Sequence, residues 1–145
     1  MRLLAATDFA LRALMRLAAE PERRLSTEVL ARELDLSRNH LHKVIQELSA
    51  AGLVHTLRGA QGGVTLALPP EQISIGAVVR RMEEGQAIVE CFRDDGGACN
   101  LTPRCRLKGV LAGAEAAFYR ALDAVTLADC APAMATATAI PAPAA

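Results

Sequence analysis

Three cysteines, Cys91, Cys99 and Cys105, follow one another at spacings C-x7-C-x5-C in the stretch E-C-F-R-D-D-G-G-A-C-N-L-T-P-R-C, which begins at Glu90. Gly96, Gly97 and Pro103 punctuate it, so little regular structure can form there to bury the thiols as ordinary core residues. Thiolates on backbone free to turn are what an iron–sulfur cluster needs. The spacing is too wide for the C-x2-C knuckles of common zinc sites and matches neither ferredoxin run. Zinc stays open as an alternative occupant, and three thiols leave one iron of a cluster without a sulfur ligand. The fourth cysteine, Cys130, is separated from Cys105 by 24 intervening residues and reads as a small hydrophobe near the C-terminus.

Composition bounds the rest. A chain of 145 residues is long enough for one domain, or for a small module with a dimerising arm. With three Phe, one Tyr and no Trp, the core must come from Ala, Leu and Val, which suits closely packed helices. Formal charge is zero, but residues 1–68 hold nine Lys/Arg against seven Asp/Glu and residues 69–145 hold seven against nine, so the N-terminal half is the more basic. That imbalance alone does not establish nucleic-acid binding. Asp8 and Arg12 interrupt any secretory h-region at the start, and no apolar run approaches the roughly 20 residues of a membrane span. The expected location is cytoplasmic, where reduction favours metal or redox chemistry over disulfides. No nucleophile and base occur at a recognisable motif spacing and no phosphate-binding glycine loop is present, which argues against an enzyme.

The elements that must position the thiols follow from periodicity. Phe9, Ala10, Ala13, Leu14, Leu17 and Ala18 recur at helical spacing from Thr7 to Ala19, with Asp8 near the start as a capping carboxylate. A second helix, capped by Ser26 or Thr27, carries Val29, Leu30 and Leu34. After a break at Asp35 and Leu36, a third begins at Ser37 as N-cap, buries Leu41, Val44, Ile45 and Leu48, and stops at Gly52. Two short helices on a tight turn make a helix-turn-helix. Arg38, Asn39, His40, His42 and Lys43 on the early exposed face of its second helix are donors for phosphates or base edges. Residues 54–68 read as a hairpin, the wing of a winged helix, with Arg58 and Gln61 at its tip for a minor groove.

The expected fold is mainly α with a small β-hairpin: a winged helix-turn-helix domain over residues 1–68 with a long dimerisation helix. Pro69 and Pro70 mark the domain exit. Residues 69–106 form a connector helix, with Ile75, Val78, Val79 and Met82 on one face, and the cysteine loop. Residues 107–127 form the dimerisation helix, and residues 128–145 a flexible, low-complexity tail. Leu107, Leu111, Ala114, Phe118, Ala121 and Val125 step by threes and fours, the seam spacing of a coiled coil. A homodimer is expected, with a stripe folded back on its own domain as the alternative.

These pieces resemble the NsrR/IscR family of winged-helix iron–sulfur regulators. The likeness rests on T-D-F-A-L-R-A-L at 7–14, R-G-A-Q-G-G-V-T-L-A at 58–67, the run from E-C-F to C-N-L-T-P-R-C-R-L, and T-L-A-D at 126–129. It spans nearly the whole chain, and the cysteine motif is similar to that of the NsrR branch. The resemblance implies a dimeric DNA-binding repressor of nitrosative-stress genes whose iron–sulfur cluster is attacked by nitric oxide. The cluster would be 4Fe-4S, with 2Fe-2S as the alternative. Cys91, Cys99 and Cys105 match the family's cluster thiolates. Asp8 becomes a candidate fourth ligand, reaching the cysteine loop of a second subunit, with Glu90, Asp94 and Asp95 as local competitors. Ser37, Arg38, Asn39, His40 and Lys43 would meet the major groove, and Arg58 and Gln61 the minor groove. An IscR-like redox regulator is the first alternative and a cluster-carrying electron-transfer protein the second.

Overall fold

The computed structural model describes residues 2–59, 62–102 and 104–131. Helix α1, Ala5–Ala19, buries Thr7, Ala10, Ala13, Leu14, Leu17 and Ala18 on one face. It begins two residues before the expected Thr7 because its cap comes from far along the chain. Leu4 occupies the N-cap position without a capping side chain, and the Glu83 carboxylate accepts from the Leu4 amide at 2.8 Å and from the Thr7 hydroxyl. Asp8 therefore does not cap. It lies one turn inside the helix and pairs with Arg12 at 2.7 Å on the surface.

Helix α2, Thr27–Glu33, is capped by Ser26, whose Oγ accepts from the Val29 amide at 3.1 Å. The turn after it closes in the Schellman manner: Leu36 N donates to Ala31 O at 2.8 Å, with Asp35 in the left-handed region at φ 51°. An aspartate tolerates that conformation better than most residues. Helix α3, Arg38–Ala50, buries Leu41, Val44, Ile45 and Leu48, the four residues expected. Ser37 holds the N-cap position, but its side chain makes no capping bond. Strands β1, Val54–Leu57, and β2, Gly63–Leu66, pair antiparallel with Val54 opposite Leu66 and Leu57 opposite Gly63. Leu25 adds a bridge to Val64, fastening the wing to the segment before α2.

The core does not stop at the two prolines. Helix α4, Ile75–Met82, is capped by Ser74 and buries Ile75, Val78, Val79 and Met82 in the same cluster as Ala10, Leu14, Leu41 and Leu48. The helices of residues 1–68 thus share one core with α4, which packs directly on α1. Helix α5 runs only from Arg106 to Asp123 and has no residue fully buried within this chain. Its seam divides. Phe118 and Val125 pack back on the core with Tyr119 and Leu122, whereas Leu107 is 60% and Val110 67% exposed. Arg80 of α4 lies 4.5 Å over the Tyr119 ring and grips the Asp123 carboxylate with both terminal nitrogens. Gly76 makes that docking possible, since a Cβ there would overlap Asp123.

A chain reversal follows α5. Thr126 and Asp129 form a capping box, and Asp129 is held below the usual carboxylate range by the Thr126 amide and hydroxyl. Helix α6, Leu127–Cys130, occupies the first residues of the expected tail. Leu127 is fully buried, and its amide donates to Ile73 O at 2.8 Å. Residues 132–145 lie outside the described residues. Leu127→Ala is expected to lower unfolding free energy by about 2–5 kcal/mol, as for other leucines removed from closed cores. Urea denaturation followed by circular dichroism measures it, and an unchanged midpoint would show that α6 contributes nothing to the core.

Candidate functional site

Ser37, Arg38, Asn39, His40, His42 and Lys43 are all solvent-exposed on α3. They do not share one direction. The His40 ring stacks on Phe9 of α1, with centroids 6.5 Å apart and planes at 29°. On another face of α3 a groove of about 800 Å³ runs between the helix and the wing, walled by Arg38, His42 and Gln46 on one side and Leu57 and Arg58 on the other. Of the residues expected to touch DNA, Arg38 and Arg58 are brought together here. Asn39, His40 and Lys43 do not line this groove, and Gln61 lies outside the described residues. Gln46 was not visible as a candidate from the sequence. Its signal is the row Arg38, His42, Gln46 at steps of four, which points one way only once the wing is in place.

The thiol loop folds upon itself. A 3-10 turn spans Glu90–Phe92, and Gly96 N donates to Arg93 O at 2.9 Å. Asp95 pairs with Arg93 at 2.7 Å and accepts from Gly97 N at 2.9 Å, contacts that hold its carboxyl below the usual range. Glu90 Oε1 accepts from Ala98 N at 3.2 Å. Gly97, at φ 58°, sits against the Glu90 carbonyl where a Cβ would overlap it.

Cys91, Cys99 and Cys105 are partly exposed and free of disulfides. The Leu101 amide lowers the Cys99 pKa below the ordinary thiol value, and the Cys91 side chain adds to the effect. Cys105 is the N-cap residue of α5, where first-turn amides face a ligand and favour negative charge. Among the described residues no three His, Cys, Asp or Glu side chains stand close enough to hold a metal ion. The expected convergence of three thiols is therefore not present in this arrangement: Cys105 is fixed by α5, whereas Cys91 and Cys99 follow the loop's own hydrogen bonds. Asp8 is engaged with Arg12, Glu90 with Ala98, and Asp95 with Arg93. The donor chemistry still fits a soft metal centre, with accessible thiols and with the Leu101 and Thr102 amides and the Thr102 hydroxyl directed at the Cys99 sulfur.

Residues 3–133 match the model of a family described as "Rrf2: Iron-dependent Transcriptional regulator". The chain belongs to the Rrf2 family. It is 45% identical over 130 residues to the HTH-type transcriptional regulator NsrR of Halalkalibacterium halodurans, covering 89% of each chain, and equally so to NsrR of Bacillus subtilis. Among solved structures it resembles T. potens IscR, with a TM-score of 0.74 and 26% identity over 98% of this chain and 94% of that one. It also resembles B. subtilis CymR, with a TM-score of 0.73 and 25% identity over 91% and 97%. Like other Rrf2 proteins it is a DNA-binding transcriptional regulator and not an enzyme. No described helix is long and apolar enough to cross a membrane.

The groove between α3 and the wing brings Arg38 and Arg58 to one opening, and two cations so placed suit a phosphate backbone. Arg58→Ala is expected to weaken operator binding and to reduce the slope of log K against log salt by about one, the signature of one lost phosphate contact. Fluorescence anisotropy over a salt series measures it, and an unchanged slope would take Arg58 off the phosphate backbone. Gly97→Ala tests the loop. With about 1–3 kcal/mol of backbone strain, exchange of the Ala98 amide should accelerate about 10- to 100-fold while β1 and β2 keep their protection. Hydrogen exchange read by mass spectrometry decides it.

Proposed function

We propose that this Rrf2 protein is a repressor of nitrosative-stress genes that holds an iron–sulfur cluster through Cys91, Cys99 and Cys105 and loses its operator when nitric oxide reaches that cluster. The observation that carries the reading is the set of three accessible, unpaired thiols on a self-bonded loop running into the N-terminus of α5. Its relatives named NsrR support it. When bound, the cluster supplies iron that nitric oxide can ligate. The chain supplies the rest. The Leu101 amide lowers the Cys99 pKa and so favours its metal-binding form, the α5 amides favour the negative charge of the ligand set, and the loop's glycines allow it to close on its occupant. Asp8 of the partner subunit is the proposed fourth ligand, a harder and more labile donor than sulfur.

The exposed half of α5 supports a homodimer, since Leu107 and Val110 have no cover among the described residues. Two copies would set their α3 helices about 34 Å apart, one turn of duplex. A difference of about 100-fold in operator affinity between the two states, about 2.7 kcal/mol, is sufficient for a switch. The location that fits this role is the cytoplasm. The likeness to T. potens IscR favours a second reading, a regulator answering to cluster supply or redox state.

Anaerobic preparations are expected to be coloured and to contain iron and sulfide. They should bind a palindromic operator and release it on stepwise addition of nitric oxide, and Cys99→Ser should abolish the visible spectrum. Release on iron depletion but not with nitric oxide would select the second reading. Colourless protein that binds its promoter at full strength even after reconstitution would remove both.

A further inference from the structure

Gln46 is exposed on α3 and contributes nothing to the core, yet its side chain is not free. Its amide nitrogen lies 3.3 Å from Nε2 of His42, one turn earlier on the same face. Both line the groove that faces the wing. We propose that Gln46 is a specificity-determining contact of the operator complex, reading an adenine edge in the major groove, with His42 as its positioning residue. The inference rests on DNA binding through α3 and adds which base it selects and through which side chain.

The chemistry follows from the count of donors and acceptors. A glutamine amide has two N–H donors and one oxygen acceptor. With one N–H directed at Nε2 of His42, one N–H and Oε1 remain. That is the pair that meets N7 and the N6 amino group of adenine, the bidentate match by which glutamine selects this base. A long exposed side chain ordinarily samples several rotamers and must lose them on binding. The bond to His42 removes part of that freedom in advance, which is how a neighbour strengthens a contact without touching the base. Position agrees as well. His40 is turned to Phe9 of α1, so the row presented beside the wing is Arg38, His42 and Gln46. Arg38 at its start is a cation suited to phosphate or guanine. Gln46, being neutral, releases no counterion and can add selectivity but not salt dependence.

The test uses the full-length protein, prepared anaerobically, and a site it has itself selected from a randomised palindromic DNA library. Each adenine of one half-site is replaced in turn by 7-deazaadenine, which lacks the N7 acceptor. Wild type should lose about 10-fold in affinity at one position and little at the others. Gln46→Ala should bind the unmodified site about 10-fold more weakly, be indifferent to the analogue at that position, and keep the wild-type salt slope. His42→Ala should show a reduced penalty at the same position. A Gln46→Ala profile that matches wild type at every adenine would overturn the assignment, as would a changed salt slope with an unchanged profile. Absence of any selected site for wild type would instead remove the operator-binding reading beneath it.

Discussion

The Glu83 carboxylate closes the open end of α1, and most of the arrangement depends on that closure. It accepts from the Leu4 amide at 2.8 Å and from the hydroxyl of Thr7, a residue with no exposed surface. Without it the first turn of α1 would keep an orphan donor and the core a buried, unsatisfied hydroxyl, each a desolvation cost of about 1–3 kcal/mol. Helix α1 in turn packs against α3, α4, α6 and β2. Glu83 itself is the C-cap residue of α4, at the point where the chain leaves the core for the thiol loop. A single side chain thus joins the central helix of the reading head to the segment that leads to Cys91.

The packing around this joint explains why the molecule has one rigid part and one unfinished surface. Ala10 and Ala13 are small enough to let neighbouring helices approach closely, and the aliphatic residues of α3 and α4 fill the space on either side. The C-terminal half of α5 is tied to this body by Phe118, Leu122 and the grip of Arg80 on Tyr119 and Asp123. Its N-terminal half has no such ties among the described residues, and it is the half that Cys105 precedes as N-cap. Any surface that covers Leu107 and Val110 therefore also lies next to the last thiol of the loop.

Much of this was legible in the sequence where a residue's role depends on near neighbours. The buried faces of α3 and α4 follow directly from apolar spacing, and the hairpin from its glycines. The misreadings have long-range causes. The start of α1 is set by Glu83, 76 positions away, so Asp8 looked like a cap that the fold does not use. The end of α5 is set by the Arg80 grip and by the capping box hidden in T-L-A-D, with no glycine or proline to mark the break. The two prolines looked like a domain exit, but the apolar face of α4 is complementary to α1, and local composition does not show that. At the site, the thiols announce themselves by residue type and spacing. The row that faces the wing does not, since Gln46 gains meaning only from the position of β1 and from the stacking of His40 on Phe9.

For the proposed sensor the question is then one of magnitude. Operator affinity must change by about 100-fold, which is about 2.7 kcal/mol, and a coupling can be no larger than the difference in interactions between its two states. A hydrogen bond to a charged group contributes about 1.5–3 kcal/mol. Glu83 makes two of them to α1, at the first turn of the helix whose Phe9 supports His40 at the head of α3. The backbone of the same residue closes the turn into the loop, where Gln86 N donates to Glu83 O at 2.9 Å. Loop movement that altered this turn would act on both bonds at once. Such a switch would need no large rearrangement of the core, because two bonds of this kind at one joint would cover the size of the change required.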